Sequence, residues 1–266
     1  MRAALVSEFR KTVSTPLWWV LGLTAFGYMA MTAGLLGFAT TMPVEQGGME
    51  MTGGGVDVAR SLYSLPVSLG YVFPLVTGAL AVTTEFRHRT LTATLLAEPN
   101  RTTVIASKLV VQGGVGAFLG LCGVAGAMVA AAGALVIAGE PTMLGEPSVW
   151  GTAALAVVAL ALWGMVGVGF GALVPNQVAS IVLILAFTQL IEPLLRIGLA
   201  LLGDGFAQVG LYFPGAAAEA LSGASLYSSI GAAELLPQWA GGVVMTAYAL
   251  GFALLGRLLT FRRDVT

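Results

Sequence analysis

The chemistry open to this chain is concentrated in one polar stretch, from Thr84-Glu85-Phe86-Arg87-His88-Arg89-Thr90 through Leu95-Leu96-Ala97-Glu98-Pro99-Asn100-Arg101 to Lys108. Its carboxylate, guanidinium and ammonium groups suit charge-assisted hydrogen bonds to a partner surface rather than bond breaking. His88 is the only histidine, and the only cysteine, Cys122, lies in an apolar run. Neither metal-assisted hydrolysis nor nucleophilic catalysis then has enough parts. The motifs G-x-x-x-x-G-K-[ST], H-E-x-x-H, C-x-x-C and G-x-S-x-G do not occur. No catalytic residue, metal or cofactor is therefore expected in this chain.

The elements that must position this stretch lie in a bilayer. Of 266 residues 57% are apolar and 9% charged, and the mean hydropathy is +0.90. About a quarter of residues are charged in soluble domains, so too little charge remains to coat a soluble surface. Twelve basic against thirteen acidic residues give no argument for nucleic acid. A spanning helix needs about 20 apolar residues. Six runs qualify, near 17–40, 65–84, 110–138, 150–174, 178–195 and 239–259. With both ends inside, the cytoplasmic side carries Arg2, Arg10, Lys11, Arg87, Arg89, Arg101, Lys108, Arg257, Arg262 and Arg263. The outer side carries Arg60 and Arg196. That bias fits six spans in a cell membrane with cytoplasmic termini, and odd numbers of spans break it. The first apolar run is too long for a cleaved leader.

Residues 1–15 read as an interfacial elbow helix, with Leu5, Val6, Phe9 and Val13 on one face and Arg2, Arg10 and Lys11 at lipid headgroups. Region 197–238 is interrupted by glycines, Pro214 and Glu219, and reads as short extracellular re-entrant helices before the last span. Gly113, Gly114, Gly116, Gly120, Gly123 and Gly126, and Gly167-Val168-Gly169-Phe170-Gly171, read as helix-packing faces. The outer loop 41–64, with Glu45, Glu50, Asp57 and Arg60, reads as solvated and partly mobile. Glu192 and Arg196 are four apart and can pair, with Pro193 kinking the helix between them. Two readings stand for that pair: an outer gate touching substrate near a dimer axis, or an ion pair capping the helix.

In the loop 85–103, Leu91, Leu95 and Leu96 form an apolar stripe at helical spacing and Pro99 ends the helix. Composition fits both a docking helix for a cytosolic partner and an ordinary interfacial helix. The loop resembles the one between the second and third spans of ABC-2 type transporter permeases, roughly E-[FY]-R-x-G-T-[LI], then L-L-A-x-P, a basic residue and a lysine. The matching residues are Glu85, Phe86, Arg87, Thr90, Leu91, Leu95, Leu96, Ala97, Pro99, Arg101 and Lys108; Arg89 stands where the family has glycine.

The resemblance implies an all-α, six-span permease that pairs with a second permease chain, identical or a paralogue. It also implies two copies of a separate cytosolic ATPase, carrying ATP and Mg, docked on the elbow (Phe9, Arg10, Lys11) and on the coupling loop. In that reading Glu85, Arg87 and Arg101 hold the loop and its partner by charge-assisted hydrogen bonds, with Leu91 and Leu95 as buried anchors, and His88 lies in the same loop. The nearly chargeless spans favour an exported hydrophobic or amphipathic cargo, such as a drug, antibiotic, lipid or apolar peptide. The substrate-binding residues are left unassigned. Rival readings are an ion-coupled secondary transporter and a non-transporting assembly or immunity subunit.

Overall fold

A computed structural model describes residues 1–43, 45, 48–49, 51, 53–229 and 234–260. Glu50 and the basic end Arg262, Arg263, Asp264 and Val265 lie outside the described residues. Among the described residues all regular structure is helical: α1 (Arg2–Val13), α2 (Leu17–Ala39), α3 (Gly55–Tyr63), α4 (Val72–Arg87), α5 (Leu91–Ala97), α6 (Arg101–Ile137), α7 (Pro147–Leu173), α8 (Gln177–Ala186), α9 (Glu192–Leu201), α10 (Asp204–Gly210), α11 (Pro214–Ser222), α12 (Leu226–Ser229) and α13 (Gln238–Leu259). Six continuous segments are long and apolar enough to cross a bilayer: Leu17–Ala39, Gly55–Arg87, Arg101–Ile137, Pro147–Leu173, Gln177–Leu201 and Gln238–Leu259. The chain is an all-helical, multi-pass membrane protein.

The boundaries differ from the sequence reading where polar residues find partners inside the fold. The second long segment starts at Gly55, not near Leu65, because Ala59, Leu62 and Tyr63 bury one face of α3 among Met29, Ala127 and Leu135. Asp57 and Arg60 thus belong to a helix rather than a solvated loop. Arg60 donates through Nε to Thr152 Oγ1 at 2.9 Å and through Nη2 to the Gly223 carbonyl at 2.7 Å. The third segment starts at Arg101, not near 110. Asn100 caps it by accepting from the Thr102 and Thr103 amides, and Lys108 is buried rather than interfacial. The fifth continues past Pro193 to Leu201 through a π-helical turn, Phe187–Ile191. A similar turn, Pro66–Gly70, joins α3 to α4 ahead of Pro74. Such turns absorb the backbone bonds that proline cannot make.

Small residues set the packing. On α7, Gly167 and Gly171 lie against Leu75 and Ala79 of α4, while Gly169 lies against Ala249 and Ala253 of α13. Residue numbers rise together across these pairs, so α4, α7 and α13 run parallel. In α6, Gly116 and Gly120 meet Leu160 of α7 in antiparallel register, whereas Gly126 meets Phe26 of α2. The α6 glycines therefore serve two neighbours, not a single smooth face. With no hydrophobic drive between helices in lipid, such close backbone approach supplies the van der Waals contact that holds the bundle. α11 is buried along its length from Ala216 to Ser222, and its Ala217 carbonyl lies 2.5 Å from where a Cβ on Gly241 of α13 would be.

A Cβ at Gly167 would collide with the Leu75 carbonyl, whereas one at Gly114 meets nothing within 4 Å. Gly167→Ala is expected to cost about 3 kcal/mol or more and to lower the thermal midpoint in detergent. Gly114→Ala should leave that midpoint unchanged or slightly raised.

Candidate functional site

An ammonium inside an apolar helix must be met by carboxylates or lose its proton. Lys108, 1% exposed, is met. Its Nζ donates to Glu8 Oε2 at 2.8 Å, Glu85 Oε1 at 2.8 Å and the Ala81 carbonyl at 2.9 Å. All three protons have acceptors. Lys11 closes the figure, donating to Glu8 Oε1 and Glu85 Oε1 at 2.6 Å each and, at 3.5 Å, to Thr94 Oγ1 of α5. Two carboxylates balance two ammoniums, and the cluster ties α1, α4, α5 and α6 together at one end of the bundle. Burial opposes the Lys11 charge, but its bonds to Glu8 and Glu85 outweigh that and hold its pKa above the ordinary 10.5.

The turn after α4 has a defined geometry. The Thr90 amide donates to the Glu85 carbonyl at 3.0 Å and the Arg89 amide to the Phe86 carbonyl at 3.3 Å, with Arg89 at φ 55°. This is a Schellman ending, whose left-handed position favours glycine. Arg89 therefore stands where the backbone favours glycine, and the turn forms regardless.

The loop residues divide into two sets. Glu85, buried, is engaged by this chain's own lysines rather than offered to a partner. Leu91, 1% exposed, is not a free anchor: it packs with Val82, Ile105, Leu109 and Val168, and Phe86 and Leu95 pack against that group. Burying Leu91 inside the chain fixes α5 to the spans. The outward set is Arg87, His88, Arg89, Thr90, Pro99 and Leu96, the last 80% exposed. Arg87 Nη1 reaches Gln177 Oε1 at 3.2 Å. Arg101 opens α6, and Phe9, Arg10 and Lys11 lie on the exposed side of α1.

At the opposite end Glu192 and Arg196 do not form the expected ion pair. Glu192, 2% exposed, accepts from the Ala216 amide at 3.1 Å and so caps the N-terminus of α11. Arg196 turns instead to Glu219 Oε2, 3.2 Å away, and lies over the Tyr227 ring. Glu219 also accepts from Ser68 and Ser225 at 2.9 and 2.8 Å. Four residues apart on one helix, Glu192 and Arg196 are drawn to different points on the short helices that follow, where each finds a better-placed partner.

The sequence alone does not mark Glu8 and Glu219 as members of these clusters. Lys108 was the available signal, since a lysine followed by about 30 uncharged residues requires acids, and Glu8, Glu85 and Glu98 are the acids nearest its end of the chain. Comparison with models of known protein families finds no match, and no curated protein matches the sequence. What the fold and these clusters define is an all-helical membrane protein, with six segments among the described residues long and apolar enough to span a bilayer and an ionic lock at one end.

Lys108→Met would leave two carboxylates buried and short of one counter-charge. A loss of about 3–5 kcal/mol is expected, seen as a large drop in thermal midpoint that added Glu85→Gln partly restores. Arg89→Gly should leave stability unchanged or raise it by up to about 1 kcal/mol in the same assay.

Proposed function

We propose that the chain is the membrane subunit of an ATP-driven ABC-2 type exporter. Two such chains, identical or paralogous, pair in the cell membrane with both ends cytoplasmic, and two copies of a cytosolic ATPase supply ATP and Mg. The observation that carries the reading is the platform built by α5. Its inner side is fixed by Leu91 and by the Lys11 contact to Thr94, while Leu96, Arg87, His88 and Arg89 face outward beside it. A helix held by the burial of Leu91 against α4, α6 and α7 can pass a push from a docked partner into α4 and α6 without bending away. The roles foreseen for Glu85 and Leu91 change accordingly: they are positioning residues behind the docking face.

In this reading α1 is the elbow, with Val6, Phe9 and Val13, all exposed, in the headgroup layer. Helices α10 to α12 are the short re-entrant and extracellular elements, held by Glu192 and Glu219. The interior walls are mainly apolar and small, which suits a hydrophobic or amphipathic cargo. A second reading, ion-coupled transport, rests on Glu192, whose Oε2 is buried without a hydrogen-bond partner in a membrane-spanning segment.

Purification from the native membrane in mild detergent separates the two. The ATPase reading expects a near-stoichiometric ATPase, with nucleotide hydrolysis, to co-purify with the wild-type chain. Arg87→Glu with Leu96→Asp, both exposed and harmless to the fold, should lower it at least about tenfold while the thermal midpoint holds. A chain that purifies alone, without hydrolysis, and whose transport is lost in Glu192→Gln makes the ion-coupled reading the better one.

A further inference from the structure

A cavity of about 220 Å³ lies among α1, α2, α4 and α6 beside the ion-pair cluster. Leu17, Trp18, Leu80 and Val115 give it apolar walls, and Glu85 and Gln112 give it a polar one. Two acceptors on that polar wall, Glu85 Oε2 and Gln112 Oε1, are buried and have no hydrogen-bond partner. Their side chains are nearly enclosed: that of Glu85 is 9% exposed, and Gln112 is 6% exposed. The neighbouring donor is spent, since every proton of Lys108 is already placed. An occupant must therefore bring hydrogen-bond donors together with an apolar body.

Size and shielding narrow the class. Pockets that enclose a drug-sized molecule hold about 300–1,000 Å³, so this cavity takes a head and the first part of a tail. Acceptors of this kind call for an N–H donor, which a primary ammonium has and a quaternary ammonium lacks. The cluster itself is balanced, two carboxylates to two ammoniums, so an added cation is best accompanied by its own anion.

We propose that this cavity binds the protonated primary amine of an amphiphile, with the ammonium donating to Glu85 and Gln112 and the chain running along Leu80 and Val115. Phosphatidylethanolamine from the bilayer and a free alkylamine share this chemistry. The zwitterion is the better match to a charge-balanced site. The inference does not rest on the ATP-driven reading.

The full-length chain is exchanged into micelles holding equal amounts of phosphatidylethanolamine and phosphatidylcholine, and retained lipids are counted by native mass spectrometry. Wild type should retain phosphatidylethanolamine about tenfold over phosphatidylcholine, a difference of about 1.4 kcal/mol. Gln112→Leu, which removes an acceptor, and Leu80→Trp, which fills the cavity, should bring the two to parity while the thermal midpoint holds. Dodecylamine should displace the bound lipid and dodecyltrimethylammonium should not. Binding of dodecylamine without lipid preference assigns the site to a soluble amine and supports the same chemistry. Equal retention of both lipids with no dodecylamine binding overturns the proposal, as does an unchanged preference in a folded Leu80→Trp.

Discussion

The ammonium of Lys108 sits near the start of a 37-residue helix that carries no charge beyond it. No apolar packing can hold it there, and the desolvation it suffers is recovered only by well-placed carboxylates. Several features follow from that one requirement. α1 must fold back so that Glu8 reaches inward, α4 must end at the level of Glu85, and Lys11 must join to balance the second carboxylate. Because Lys11 also touches Thr94, the short helix α5 is fixed by the same arrangement. Such a cluster adds little net stability compared with apolar residues of equal volume, but it sets the relative register of α1, α4 and α6, since each other register strands a buried charge.

The rest of the bundle is held by a different force. Glycine and alanine let α7 approach α4, α6 and α13 backbone to backbone, where dispersion rather than water release provides the attraction. Large side chains enter this region where a flat pair can share a gap, as with Tyr71 and Trp163, whose rings stack with centroids 4.5 Å apart. The two π-helical turns lie away from the ionic end, beside prolines, and in the second of them the Thr188 hydroxyl donates to the Ile184 carbonyl at 2.9 Å. Regular, closely packed helix and irregular helix are thus separated along the bundle.

The long apolar runs, the caps near Pro16, Pro99 and Pro175, and the short elements of 197–238 were legible because each is a local property of composition or a single breaker. The clusters were less so. Lys108 reads from sequence as interfacial because its charge is visible and its partners are about 100 and 23 residues away in the chain. Leu91, Leu95 and Leu96 form one stripe in the sequence, yet Leu91 is buried and Leu96 is exposed, a division set by where α6 and α7 pass. Glu192 and Arg196 show that spacing permits a pair without making one: the short helices after them present a helix N-terminus and a second carboxylate, and these win.

Both polar clusters end close to electrical balance by different means. At the α1 end the balance is ionic, two lysines against two glutamates. At the other end Arg196 pairs with Glu219, and Glu192 draws its compensation from the partial positive charge of the α11 amides. Backbone capping of this kind fixes a helix to a carboxylate without a long, rotamer-rich basic side chain, so α11 is held by a rigid contact within an otherwise apolar neighbourhood. Between the two clusters the spans carry almost no charge. A path through the protein or through a pair of copies would therefore meet small and apolar walls with fixed polar groups at its ends. An amphipathic molecule would find that arrangement easier to cross than an ion would, because an ion would need to shed its water without a replacement.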